Sequence, residues 1–331
     1  MTDVLDWDAL VREAKRRRAK EGLSQLKHAQ LAGVSRDTIR SFDKYERSIS
    51  LEKATAILRV VGLVDERTGV GKGHADFVRR ARERWDELVR PLPERHPARF
   101  PYGRVTYDFA LRGDIRAIET PALENVLQDA TAESRFQTGL PFHVYGPKRH
   151  IVIDAEEIER WVSDPQSDIA LIDHSLAGYW RASGRGSFFL IRAYPEDDEF
   201  RNLEPGTFLD VAWPLWRAAD VLEQARRLAE RFPGQADDVA LRASWNGLAG
   251  RRLVNWSRAT ATPLTRSEHR SRVASISNAL TVGVAKGDAP ADLQKMLLPL
   301  YAAFDYDLRD EDVSDELARR DAKSQEVARA R

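Results

Sequence analysis

The chain has 331 residues, 42% of them hydrophobic, with 52 Lys and Arg balanced by 52 Asp and Glu and no cysteine. That length points to two domains with ample apolar content for packed cores. Without thiols there is no disulfide framework and no zinc site built on cysteine, which fits a reducing cytoplasm. No apolar run approaches the roughly 18 residues of a membrane span. The opening MTDVLDWDAL is acidic and amphipathic, unlike a secretory signal. A cytoplasmic protein with no membrane partner is therefore expected. The zero net charge hides an asymmetry: residues 1–90 carry 20 Lys and Arg against 15 Asp and Glu, a net of +5, which leaves −5 on the remainder. That is the sign expected of a nucleic-acid-binding head on an acidic body.

In chain order, the first predicted helix runs from Trp7 to Lys20, with Leu10, Val11 and Ala14 along one side and a basic cluster from Arg12 to Lys20 suited to phosphate contact. Ser24 is placed to cap a second helix, Gln25–Ala32, and Ser35 a third, Arg36–Lys44, because a serine hydroxyl accepts an orphan amide of the first turn. Gly33-Val34 makes the turn between them, and Ala29 is small enough for a close helix crossing. Ser50 is placed to cap a fourth helix whose Leu51, Ala54, Ile57, Leu58 and Val61 share one face. His28 reads as a satisfied histidine inside this small helical unit.

The residues Ser24-Gln25, Ala29, Gly33-Val34-Ser35, Thr38-Ile39 and Asp43-Lys44 carry a resemblance to the helix-turn-helix of the Xre/lambda-repressor-like family, over about 55 residues ending at Leu63. The segment departs from the family pattern at His28, where Leu is usual, at Asp43, where Glu is usual, and at Tyr45, where Gly is common. The resemblance implies double-stranded DNA as the partner, read by the third helix in the major groove, and a homodimer on two half-sites. With Val34, Ile39 and Phe42 turned inward, the opposite face of that helix is free. Arg36, Asp37 and Ser41 are the candidates for base edges, Arg40 for either role, and Gln25, Lys44 and Arg47 for the phosphate backbone. Ser35 and Thr38 complete the candidate DNA-binding set.

Beyond Leu63 the text turns polar and Gly-rich. TGVGKG is not a phosphate loop, since the Gly-Lys-Ser/Thr spacing fails and no apolar strand precedes it. Ala75–Val89 is helical by period and suits a connecting or dimerising role, and the Pro-rich stretch Pro91–Gly103 reads as a hinge. From Arg104 an α+β body begins. Alternating Val105, Tyr107 and Phe109, then Arg112-Gly113-Asp114, read as a hairpin with the triplet at its turn. Thr120-Pro121 opens a helix to about Ala130, two short extended segments follow between Thr138 and Val162, and Gly178–Tyr194 reads as a second hairpin. Glu196-Asp197-Asp198-Glu199 reads as a solvated turn rather than a metal site. A long helix is expected over Phe208–Phe232, with Pro214 marking its start. Strands are expected at Val239–Trp245, from Gly250 and at Arg272–Ile276, a late helix at Pro290–Phe304, and a charged loose helix or tail past Asp305.

The strings TGLPF, YWRASGRGSFFLIRAYPED, PLWR and WNGLAGRRLVNW resemble the C-terminal region of bacterial ATP-binding or AlbA/Schlafen-type proteins, roughly over Thr120–Leu317. That resemblance implies an α+β companion to a nucleic-acid module and no reaction. The seven histidines fall in neither HExxH nor Gly-x-Ser-x-Gly surroundings, so no enzyme, metal or cofactor is expected. The expected layout is thus an N-terminal all-α helix-turn-helix domain (1–64), a linker with a connecting helix (65–103), an α+β domain for sensing a small molecule or protein or for oligomerisation (104–310), and a charged tail (311–331). The function it implies is sequence-specific transcriptional regulation, or alternatively a DNA-binding antitoxin of a toxin-antitoxin or phage-defence locus.

Overall fold

The computed structural model describes residues 7–46, 48–61, 63, 72–132, 141–142, 151–152, 154–162, 178–198, 204–255, 262–263, 270–284 and 289–329. The Gly-rich stretch before Lys72, Arg47, His143, His150, His174, His269, Glu199 and Trp256 lie outside the described residues, as does part of the extended region expected from Thr138 to Val162.

Among the described residues the chain begins with four helices and no strand: α1 (Trp7–Lys20), α2 (Gln25–Leu31), α3 (Arg36–Asp43) and α4 (Leu51–Val60). It continues through α5 (Lys72–Val89), β1 (Arg104–Ile115), α6 (Thr120–Ala132), β2 (Ile151–Val152), β3 (Glu157–Trp161), β4 (Gly178–Ser183), β5 (Ser187–Ala193), β6 (Phe208–Asp210) and α7 (Trp213–Arg231). Then come β7 (Gly234–Asn246), β8 (Arg252–Asn255), β9 (Thr262–Pro263), β10 (Ser275–Gly283), α8 (Ala289–Ala302) and α9 (Asp310–Arg329). The fold is mixed α+β. Its main sheet has the order β10-β7-β1-β5-β4-β3-β2 with antiparallel pairings. A small second sheet, β6-β8-β9, holds one parallel pair. No described helix is long and apolar enough to cross a membrane.

Strand alternation explains how the main sheet buries both faces near its middle. Along β1, β4 and β5, Val105, Tyr107, Phe109, Trp180, Phe188 and Leu190 turn to one side, where the main core lies against Leu215, Leu222 and Leu228 of α7 and Leu297 of α8. Tyr179, Phe189, Ile191 and Ala193 turn to the other side and meet Phe77, Val78, Ala81, Trp85 and Val89 of α5. The helix that the sequence suggested as a connector or dimerising element therefore covers a sheet face. It is also tied down by Arg80 to Glu157 at 2.7 Å and Arg84 to Glu159 at 2.9 Å. The Pro-rich stretch after it is packed only in part: Pro97–Arg99 forms one tight helical turn around buried Ala98, and Phe100 stacks on Trp85 with ring centres 5.9 Å apart, while Pro91, Pro93, Pro101 and Tyr102 are exposed.

Four local expectations are corrected. Arg112-Gly113-Asp114 is not a hairpin turn. β1 runs through it, paired with β7, and the register slips between Arg112 and Gly113. Gly113 sits at φ 132° with a hypothetical Cβ only 2.3 Å from Gln235 O, so the slip needs a residue without a side chain. The acidic run is not solvated: Glu196, Asp197 and Asp198 are buried, and Asp197 takes a two-pronged pair from the buried Arg251 at 2.9 and 2.6 Å. The expected helix from Phe208 begins as strand β6. Buried Asp210 then accepts the amides of Ala212 and Trp213 at 2.7 and 3.1 Å, and α7 starts with Pro214 in its first turn. The end of the chain is a helix, α9, as one expected alternative had it, but it is not loose: it is docked by the fully buried Val313 and by Arg320, which donates to Asp220 at 3.0 Å and Glu223 at 2.6 Å.

Candidate functional site

Helix α3 is divided sharply between its two faces. Ser35 Oγ accepts the Thr38 amide at 3.1 Å and lies 2.9 Å from Thr38 Oγ1, so both hydroxyls serve the helix start. Ser24 and Ser50 cap α2 and α4 in the same way, at 3.1 and 3.4 Å. Ile39 and Phe42 are fully buried against Val11, Ala14, Ile57 and Val61, and Trp7 meets Phe42 edge-on at 5.4 Å. The opposite side therefore presents Arg36, Asp37, Arg40 and Lys44 to solvent, with Thr38 and Ser41 half-buried beside them. Arg40 and Asp37 pair at 3.1 Å, an exposed contact worth little and easily exchanged for another partner.

Gln25 is engaged internally. Its amide donates to Asp43 Oδ2 at 2.6 Å, and Arg18 holds both oxygens of the same carboxylate at 2.9 and 2.7 Å. One acid thus knots α1, α2 and α3 together. Other members of the basic cluster are also engaged: Arg16 and Arg17 share Glu13, whose carboxyl their hydrogen bonds pull down to about 2, and Lys15 lies over the Tyr45 ring at 5.3 Å. Arg12 and Lys20 are exposed. His28 is fully buried with Nε2 2.9 Å from Ile57 O, and burial lowers its pKa.

The four helices sit on the body through α2. Lys27 reaches Ala302 O and the Asp305 carboxylate, while Leu23 and Leu31 enter the main core and Val60 packs against it. This contact leaves Arg36, Asp37, Arg40 and Lys44 exposed.

In the body, a row of side chains joins α5 to the sheet. Ser187 Oγ is 3.0 Å from His74 Nδ1, and His74 Nε2 is 3.1 Å from Asp108 Oδ1. Arg242 donates to the other Asp108 oxygen at 2.8 Å. Burial alone would raise the Asp108 carboxyl, but the bonds from His74 and Arg242 outweigh it and hold the pKa below the ordinary value. The order Ser-His-Asp is that of a hydrolytic triad. Here all three members are buried, the carboxylate is shared with Arg242, and the row ties α5 to the sheet. Sequence reasoning missed it because its members lie 34 and 113 positions from His74, with no local pattern to join them.

A second buried cluster lies between the sheet and α7. Glu196 Oε1 accepts the Asp210 amide at 2.6 Å. Glu196 Oε2 and the hydroxyls of Tyr107 and Tyr194 have no hydrogen-bond partner among the described residues. Burial, with Asp210 nearby, lifts Glu196 to about 7, while burial pushes both tyrosines up and the neighbouring Arg217 down. No protein-family model, curated protein or solved structure matches the chain.

Proposed function

We propose that this chain is a DNA-binding transcriptional regulator of the Xre/lambda-repressor-like kind. In this reading α2 and α3 are the helix-turn-helix, residues 1–64 are the reading head, and the chain from 65 on leads through α5, packed on the sheet, into a body that senses a signal or self-associates without catalysis. Arg36, Asp37 and Ser41 meet base edges, with Arg40 on either bases or phosphate and Lys44 on the backbone. Gln25 acts by fixing Asp43 under the helix rather than by reaching for phosphate. Two copies act together in the cytoplasm, because one short helix supplies too little affinity and specificity.

The observation that carries the reading is the division of α3. A helix of eight residues is anchored by two fully buried apolar side chains and turns two arginines and an aspartate into solvent, with Lys44 exposed at its end. The test is a footprint of the full chain on the DNA upstream of its own gene. Protection of one or two half-sites is expected, with affinity falling steeply as salt rises. Arg36→Ala and Arg40→Ala should each weaken specific binding by about 10- to 100-fold. Unchanged specific binding in both variants would overturn the assignment.

A further inference from the structure

Between the N-terminal helices and the body lies an open cleft of about 880 Å³. Six cations line it, Arg16, Arg17, Lys20 and Arg59 from the helical side and Arg272 and Lys295 from the body, against one acid, Glu21. Its apolar surface comes from both walls as well, including Leu23, Leu31 and Val60 on one side and Ile276 and Leu298 on the other. Arg16 and Arg17 are paired with Glu13 at the cleft's edge, and the other cations stand on both walls, so an anion in the cleft is met by positive charge from two sides. A volume of this size is that of a small-molecule site, which runs from roughly 300 to 1,000 Å³, and a DNA duplex is too broad to enter it.

We propose that this cleft binds a small phosphorylated molecule carrying an apolar or planar group, with its phosphates bridging the arginines and lysines of the two walls. Bound there, the ligand stabilises the helical unit in its docked position, because a ligand that contacts both walls favours the arrangement in which both are present. The consequence for DNA rests on the regulator reading: fixing the head fixes the spacing of two recognition helices in a dimer, and by linkage DNA changes ligand affinity by the same factor. The binding site itself does not depend on that reading.

The test is calorimetric titration of the full chain with ATP, inorganic tripolyphosphate and adenosine as probes, using the wild type, Arg272→Ala and Lys295→Ala. Both substituted side chains are exposed and belong to the body rather than to the helix proposed to meet DNA, and thermal melting of each unliganded variant checks that it folds. ATP is expected to bind in the micromolar range, tripolyphosphate at least fivefold more weakly and adenosine more weakly still. Each variant should lose about tenfold in ATP affinity while footprinting without ATP as the wild type does. Failure of ATP to bind at millimolar concentration, variants that bind like the wild type, or tripolyphosphate binding as tightly as ATP would each overturn the site. Nucleotide binding without any footprint would keep the site and remove only its regulatory role.

Discussion

Arg18 grips Asp43 with both terminal nitrogens of its guanidinium, at 2.9 and 2.7 Å, across 25 residues of sequence. Both side chains are about nine-tenths buried, so the pair is screened from solvent far more than an ordinary surface ion pair. Gln25 completes the carboxylate's partners at 2.6 Å. Two-pronged, charge-assisted bonds of this kind combine strength with fixed geometry. Asp43→Ala should therefore destabilise the N-terminal helices by about 2 kcal/mol, since it strands a partly buried guanidinium and a side-chain amide. In a double-mutant cycle, Arg18→Ala and Asp43→Ala should show a coupling of about 1–3 kcal/mol. Strictly additive losses in thermal unfolding would show that the two residues do not act together.

The sharp turn before α3 gives a cleaner backbone prediction. Gly33 sits at φ +63°, and a Cβ there would meet nothing within 4 Å. The cost of Gly33→Ala is then the left-handed backbone alone, about 1 kcal/mol, and Gly33→Asn should cost less because asparagine tolerates that region. Tyr45 is the converse case. It holds φ +65° although it is not glycine, and it carries Lys15 over its ring. Tyr45→Gly relieves the strain but gives up the cation–π contact and the packing of a half-buried ring against the helical core, so it should destabilise by about 1–2 kcal/mol. Melting curves of the three variants test all of this together.

What could be read from the chain alone was whatever is decided within a few residues. The serines at 24, 35 and 50 cap helices because a hydroxyl reaches an amide three positions on, and that reach is visible in the text. The inward turn of Ile39 and Phe42 follows from helical period in the same way. The errors fall where a partner is remote. The bulge at Gly113 is set by pairing with β7, and the burial of Asp197 by Arg251, 54 positions later. The clamp of His74, Asp108 and Ser187 joins three elements that no local window contains. The cleft between the helices and the body depends on how α2 meets α8, which composition does not specify.

The clamp itself makes a prediction about chemistry. If the row only ties α5 to the sheet, His74→Ala should destabilise the body by about 1–3 kcal/mol, because it leaves a buried carboxylate and hydroxyl short of a partner. Ser187→Ala should cost less, since it leaves one imidazole nitrogen unbonded. The wild type should also resist a serine-directed fluorophosphonate, as its hydroxyl is buried. Stoichiometric labelling of Ser187 would instead make it a nucleophile and the row a working triad.

Glu196 should give the body a distinct dependence on pH. Its carboxyl is lifted from an ordinary 4.5 to about 7 by burial, aided by the Asp210 carboxylate, so the folded chain keeps a proton that the unfolded chain releases above about 4.5. Between those values the folded state binds more protons than the unfolded state, and stability falls as pH rises. The contribution is complete below 4.5, declines through the window and is lost above about 7. Holding a proton across a window of that width is worth on the order of 3 kcal/mol. Glu196→Gln keeps an oxygen to accept the Asp210 amide and removes the ionisation, so its gain over the wild type should be near zero at pH 4.5 and largest at pH 8. Asp108 works in the opposite direction. Its pKa lies below the ordinary value, so its stabilisation is present above that value and fades only at strongly acid pH, outside the Glu196 window. Chemical denaturation of wild type and Glu196→Gln at half-unit steps from pH 4.5 to 8 separates the two. Parallel curves across that range would show that Glu196 does not carry the proton.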